Sequence, residues 1–308
     1  MGSQKCWFTL CVFVSGMICV CSSQNLVTII LDMFKSSLNQ IEDQMRGVRM
    51  IYDERSTDKN VSLRSYALDE STELLKHLHL EKPFVLYIHG YQEHPQNESI
   101  QKIVSEYLKR GDDNIVILDW SALAFDSYVS VTARIKDISR HTAKAIEELV
   151  SGGVNKETLH VIGHSMGAQV AGFIGDYLNF TIPRVTGLDP ANPLFYQFGL
   201  DHISPRSGKI VDVIHTDGGL YGAYSNTGTV DFYANSGSRP QPGCKLFGPL
   251  LSPTDLCSHW RSWRYYAESI NNEKSFPALR CDSYDDFIVG RCANNRRVYF
   301  GYALPKDL

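Results

Sequence analysis

Residues Val161 to Gly175 read VIGHSMGAQVAGFIG: a hydroxyl at Ser165 flanked by Gly163 and Gly167, with one apolar run directly before and another directly after. Gly-x-Ser-x-Gly between a strand and a helix is the pattern of a nucleophile held on a strained turn, where the glycines keep side chains from colliding with adjacent backbone. The competing reading is that the glycine pair only lets a helix pack closely on a strand. The chemistry in question is attack by the serine oxygen on a carbonyl carbon. A serine hydroxyl does this poorly unless an imidazole removes its proton and a carboxylate holds the imidazole in the right tautomer.

In chains with this turn the acid and then the histidine follow the serine. The acid belongs at the end of a later strand, and RVTGLDPANP ends one at Asp189, with Pro190 opposing continuation. Asp176 falls in the helix after the turn, while Asp212 and Asp217 flank a later strand as surface or structural carboxylates, Asp217 being the best substitute for Asp189. Three histidines remain past Asp189. His202 lies in a loop soon after the acid, and His215 ends the apolar strand KIVDVIHT, where a packed, hydrogen-bonded role fits better. His259 stands in CSHWRS beside Cys257, where a disulfide would fix its approach to Ser165. Ser165, Asp189 and His259 are the selected catalytic residues. The oxyanion formed by the attack also needs two main-chain N–H donors, expected at Met166, directly after the nucleophile, and at Tyr91, in the loop closing KPFVLYIHGY.

Positioning these groups calls for a particular scaffold. VRMIY, KPFVLYIHG, NIVILDW, TLHVIG, RVTGLD and KIVDVIHT read as strands, with helices over SIQKIVSEYLKR, from about Tyr128 to Val150, and after Ser165. Continuous apolar strands interleaved with helices imply a mostly parallel sheet covered on both faces, so the expected fold class is α/β with the chemistry at the carboxyl ends of the strands. An amphipathic helix from Leu26 to Met45 is expected to open the mature chain and pack on the core.

The chain has 308 residues, 43% of them hydrophobic, and a net charge of −4. That is enough apolar content for a sizeable core, and the charge balance supplies no attraction for nucleic acid. Residues 1–23 carry Lys5, an apolar run from Trp7 to Val20 and then small residues, which reads as a secretory signal. The run of 14 residues falls short of the roughly 20 that span a bilayer as a helix. Removing it leaves Cys244, Cys257, Cys281 and Cys292, an even number that favours disulfides in a secreted chain. Nearest-neighbour pairing closes the shortest loops, and the lack of Cys-x-x-Cys spacing argues against zinc. Asn60, Asn97 and Asn179 each begin a glycosylation sequon. Without an internal repeat or a linker, residues 24–308 are expected to form one domain.

Together FVLYIHGY, VILDW, VIGHSMGAQVAGFIG, VTGLDPANP, VDVIHTDGG, GTVDFYANSGSRPQPGC and CSHWRSWRYYAESI resemble, in order and approximate spacing, the pancreatic lipase family: animal neutral lipases and secreted phospholipases A1. The resemblance runs from about Lys82 to the C-terminus and implies an α/β-hydrolase fold. It implies triad positions at Ser165, Asp189 and His259, and oxyanion positions at Tyr91 and Met166. The family commonly has Leu and His where this chain has Met166 and Gln169, and a cysteine pair after LDPANP that is missing here, which leaves the loop from Leu194 to Ser207 less constrained. The resemblance further suggests a short-lid, insect-like member without a C-terminal β-sandwich, so no colipase is expected.

By the same resemblance the lid is the segment between the cysteines before His259, KLFGPLLSPTDL, 12 residues from Lys245 to Leu256. Gly248, Pro249 and Pro253 oppose a long helix, while Leu246, Phe247, Leu250, Leu251 and Leu256 offer apolar surface to an acyl chain or a lipid–water interface. So short a lid resembles the phospholipases A1 and leaves room for a polar headgroup. The expectation is a secreted serine esterase without metal or cofactor, releasing the sn-1 fatty acid from phospholipids. The alternatives are triacylglycerol lipase or galactolipase activity, or a non-catalytic lipid-binding or yolk-type role.

Overall fold

The computed structural model describes residues 42–55, 61–305 and 307. The chain divides into Met1–Asp43 and Gln44–Leu308, and every element below belongs to the second unit. The signal reading of residues 1–23 and the sequon at Asn60 lie outside the described residues. So does the expected helix from Leu26, apart from residues 42–45, which are helical.

Five-residue apolar strands flanked by turn residues build the centre of the molecule. In chain order the elements that matter here are strands β1 (Arg49–Arg55), β2 (Val61–Ala67) and β3 (Phe84–Ile88), helix α1 (Glu98–Arg110), β4 (Asn114–Asp119) and the short α2 (Ser121–Ala124). There follow α3 (Tyr128–Ser151), β5 (His160–His164), α4 (Met166–Ile174), β6 (Arg184–Leu188), β7 (Ile210–His215), β8 (Val230–Tyr233) and α5 (Cys257–Asn271). An eight-stranded sheet runs in the order β2-β1-β4-β3-β5-β6-β7-β8. Pairing from β4 through β8 is parallel, with β1 antiparallel to both β2 and β4. This is the α/β-hydrolase arrangement, mostly parallel and wrapped by helices.

Alternation along the strands sends successive side chains to opposite faces. Val85 and Tyr87 of β3, Ile115 and Ile117 of β4 and Ile162 of β5 meet Ile100, Ile103 and Tyr107 of α1 and Trp263, Tyr266 and Ile270 of α5. Leu86, Ile88, Val116, Leu118 and Val161 are equally buried, and on α3 and α4 so are Val131, Ile135, Ile138, Val170 and Ile174. A hydrogen bond of 2.8 Å between the buried Tyr107 and Tyr266 hydroxyls joins α1 to α5. The sequence reading passed over β2 and β8. Both flank the sheet, and their mixed polar and apolar residues lack the continuous apolar run that marks a buried strand.

Two disulfides join Cys244 to Cys257 and Cys281 to Cys292. Between the first residue of β6 and the middle of β7 a largely buried ion pair ties the C-terminal segment to the sheet. Arg184 Nε and Nη2 donate to the Asp212 carboxylate at 2.8 and 2.9 Å, and the same guanidinium donates to the carbonyls of Gly301 and Tyr302. Arg184→Leu strips the buried Asp212 of its counter-ion and is expected to cost about 3–5 kcal/mol, measured as a lowered urea midpoint of unfolding.

Candidate active site

Ser165 is the single residue between β5 and α4, and it holds φ 55° and ψ −121°. A non-glycine residue in that region is strained and persists only where its surroundings enforce it. The two flanking glycines make the turn sterically feasible. A Cβ on Gly163 would lie 2.1 Å from the Gly167 carbonyl oxygen, and one on Gly167 would lie 2.3 Å from the His89 oxygen and 2.4 Å from that of Ile88. The end of β3 therefore presses directly on the turn. The Ser165 N–H donates to the Leu188 oxygen (3.0 Å) and its carbonyl accepts from Ala191 N–H (3.1 Å), so residues on either side of Asp189 are tied to the Ser165 backbone.

Asp189 follows β6, fully buried and also at positive φ, 48°. Its Oδ1 accepts the N–H groups of Thr216 (2.8 Å) and Asp217 (3.2 Å) from the loop after β7. Its Oδ2 lies 2.6 Å from His259 Nδ1 in the first turn of α5. A carboxylate only accepts, so Nδ1 carries the proton and Nε2 is left as the basic nitrogen. Burial opposes charge on His259, but its hydrogen bond to Asp189 and the charges of Asp189, Asp217 and Glu93 outweigh it and raise the imidazole above its ordinary value. The Asp189–His259 pair is thus assembled, whereas no hydrogen bond joins it to the Ser165 hydroxyl among the described residues. Such contacts are often long before substrate binds.

The other candidate carboxylates and imidazoles are paired elsewhere or, like Asp176, stand at the surface. Both Asp217 oxygens accept from Arg239, at 2.6 Å each. His215 is buried between the Ala223 carbonyl and Asp231, at 2.7 and 2.8 Å. His202 bonds the Ile203 carbonyl and stacks on Tyr196, and Asp176 lies in a short exposed turn after α4. Gln169, where relatives were expected to carry histidine, is buried and bridges Ala191 O and Ile203 N–H at 2.9 Å each. It anchors the loop that lacks the cysteine pair.

On the oxyanion side, Met166 is the first residue of α4, so its N–H is one of the amides a helix leaves without an internal partner. No hydrogen bond takes up the Tyr91 N–H among the described residues, while the Tyr91 hydroxyl donates to the Asp126 carbonyl at 2.9 Å. A Cβ placed on Gly90 would lie 3.1 Å from Ser165 Cβ, so this loop lies directly against the serine. Among the described residues no three histidine, cysteine or acidic side chains gather as a metal site.

Four residues at this edge escaped the sequence reading. His89 donates through Nδ1 to the Gly90 carbonyl at 3.0 Å. The Glu93 carboxylate accepts from Gly90 N–H (2.6 Å), Ser99 Oγ and His164 Nδ1 (3.2 Å). Gly222 leaves just enough room for Asp189, because a Cβ there would come within 2.3 Å of the carboxylate. Arg239 links Asp217 to Asp255 in the lid segment. The adjacency of His89 and Glu93 to Gly90 in HGYQE is a local signal for the first two, but Gly222 and Arg239 act across segments that only the fold brings together.

The lid segment contains no helix. Phe247 is 70% and Leu250 82% exposed, Leu246 and Leu251 are also exposed, and Leu256 is half-buried. Of the two described sequons, Asn179 is exposed and Asn97 is half-buried, its Oδ1 accepting His94 N–H at 2.8 Å.

A family model described as Lipase matches residues 15–307. The chain belongs to the lipase family. Pancreatic triacylglycerol lipase of Sus scrofa is 32% identical over 243 residues, covering 73% of this chain and 54% of that protein. Lipase member H-B of Xenopus laevis is 32% identical over 71% of this chain and 48% of its own length, and phospholipase A1 member A of Bos taurus 30% identical over 67% and 46%. The chain thus spans about half the length of the curated relatives it matches. The two disulfides are of the kind that persists in oxidising compartments. Among the described residues no helix is long and apolar enough to cross a membrane. Gly222→Ala drives a methyl group into the Asp189 carboxylate and is expected to lower esterase turnover about 10²-fold, measured with a soluble p-nitrophenyl ester.

Proposed function

We propose that this lipase is a secreted serine esterase that releases the sn-1 fatty acid from phospholipids. The observation that carries the ester chemistry is the buried Asp189–His259 pair brought to the edge where Ser165 occupies its strained turn. Ser165 Oγ attacks the acyl carbonyl while His259 Nε2 takes its proton, and the N–H groups of Tyr91 and Met166 hold the developing oxyanion. His259 then protonates the departing alcohol, leaving an acyl-serine. Water, activated by the same imidazole, releases the fatty acid and restores the serine. No step calls for a metal or a cofactor.

Lipid as the substrate is supported by where the exposed apolar side chains fall. Phe125 and Val129 follow β4, Phe198 follows β6, Leu220 and Tyr224 follow β7, and Phe247 and Leu250 lie in the lid segment. All follow parallel strands at their carboxyl ends, the edge that carries Ser165, and exposed apolar side chains there suit a lipid–water interface. Phospholipid is favoured by a lid segment of 12 residues without helix, closed by Cys244–Cys257 and open to a polar headgroup. Triacylglycerol is the second reading, favoured by the 32% identity to a pancreatic triacylglycerol lipase. Residues 1–23 as a signal peptide and glycans at Asn97 and Asn179 accord with an extracellular enzyme working without colipase.

Purified protein given phosphatidylcholine with different acyl chains at its two positions is expected to release the sn-1 chain, and triolein turnover alone would overturn the phospholipase reading. A fluorophosphonate probe is expected to label the wild type and not Ser165→Ala; labelling of neither would favour a lipid-binding role. His259 must be neutral to act as base and its pKa is raised. Activity toward a soluble ester should therefore fall about tenfold per pH unit on the acid side, with a midpoint above the ordinary histidine value of about 6.5.

A further inference from the structure

Behind the loop that carries Tyr91 lies a second carboxylate that the chemistry above does not use. Glu93 has a side chain only 12% exposed, and His164 beside it is 2% exposed. We propose that Glu93 is a positioning residue: its carboxylate fixes the Gly90–Tyr91 turn that presents the oxyanion amide and, through His164, the imidazole packed against His259. This rests on the reading of Ser165, His259 and the Tyr91 N–H given above.

The geometry constrains the turn from both sides of Gly90. Its N–H donates to Glu93 Oε2 at 2.6 Å, and its carbonyl accepts from His89 Nδ1 at 3.0 Å. The next peptide is planar and trans, so holding the Gly90 carbonyl aims the Tyr91 N–H the opposite way. Glu93 is itself anchored, because Ser99 in the first turn of α1 donates its hydroxyl to the other carboxylate oxygen. Gly90 has little freedom to drift, since a Cβ there would come within 2.9 Å of Glu93 Oε2 and 3.2 Å of His164 Nδ1.

The same Oε2 lies 3.2 Å from His164 Nδ1, and the His164 ring centroid stands 4.9 Å from that of His259. Burial pushes Glu93 up, but the charge that His164 carries when protonated at acid pH and the hydrogen bonds from His164 and Ser99 bring it down to about 2. It is therefore ionised at any working pH. Burial holds His164 below its ordinary value against the pull of Glu93, so Nδ1 donates to the carboxylate and the imidazole stays neutral. The groups facing His259 are Asp189 and Asp217 from the loops after β6 and β7, Tyr221 at a ring distance of 5.8 Å, His164 from β5 and Glu93. Of these, Glu93 alone is a carboxylate set behind the oxyanion turn.

The test compares Glu93→Ala and Glu93→Gln with wild type and Ser165→Ala on p-nitrophenyl butyrate, with circular dichroism to verify folding. Glu93→Ala is expected to lose about tenfold or more in kcat at nearly unchanged KM, because an oxyanion donor misplaced costs up to 10³-fold. Glu93→Gln keeps an acceptor for Gly90 N–H and a partner for Ser99. It should recover most of that loss while its acid limb moves to lower pH, since one negative charge that favours protonated His259 is gone. A smaller kcat loss in Glu93→Ala, or an unmoved acid limb in Glu93→Gln, overturns the inference. Should Glu93→Ala not fold, the limb of Glu93→Gln decides alone. An inactive wild type would overturn the hydrolase reading and this inference together, whereas an active wild type, an inactive Ser165→Ala and unaffected Glu93 variants would overturn only this one.

Discussion

A single residue that joins β5 to α4 at φ 55° governs the architecture of this edge. Such a conformation costs on the order of 1–3 kcal/mol, so its neighbours must enforce it. They do so by close contact of backbone with backbone. The end of β3 lies against Gly167, the Gly167 carbonyl fills the space a side chain on Gly163 would need, and the Ser165 amide and carbonyl are both held by the β6 loop. Each contact that stabilises the turn also brings another segment next to the serine: the Gly90–Tyr91 turn after β3, Asp189 after β6 and, through Asp189, His259 of α5.

Electrostatics then organises what sterics has gathered. A fully buried carboxylate is costly unless it is hydrogen-bonded, and Asp189 receives two main-chain N–H groups and an imidazole. Its neighbour Asp217 is neutralised by Arg239, whose guanidinium also takes the side chain and carbonyl of Asp255. Asp255 in turn accepts the Tyr221 hydroxyl and the Leu251 N–H, so the foot of the lid segment is wired to the loop that supports the acid. The exposed apolar tip at Phe247 and Leu250 lies beyond that anchored foot.

Residue type and chain order single out Ser165, Asp189 and His259 as candidates, because hydroxyl, carboxylate and imidazole differ chemically and each stands at an element boundary that apolar runs mark; the fold joins Asp189 to His259. Continuous apolar stretches likewise made the central strands readable, whereas β2 and β8 were passed over because strands flanking a sheet need no such runs. The contributions of Gly222 and Arg239 were invisible for a different reason. Gly222 matters only because Asp189, 33 positions earlier, lies against it, and Arg239 matters only because Asp217 and Asp255 flank it in space. Neither fact leaves a trace in local composition or periodicity. Glu93 is intermediate: its proximity to HG is local, but its value lies in the His164 and Ser99 side chains that the fold sets around it.

The Cys244–Cys257 bridge closes a loop whose two ends are already pinned, Gln241 N–H by the Ser258 hydroxyl and Asp255 by Arg239. The roots of the segment are thereby tied, through Arg239 and Asp217, to the loop whose main-chain N–H groups hold Asp189. Between the two cysteines Asp255 carries these ties, whereas Phe247 and Leu250 stand exposed at the tip. A change of hydropathy confined to that tip leaves the Arg239–Asp255 tie in place, so the surface the segment offers to its surroundings can vary independently of its anchorage.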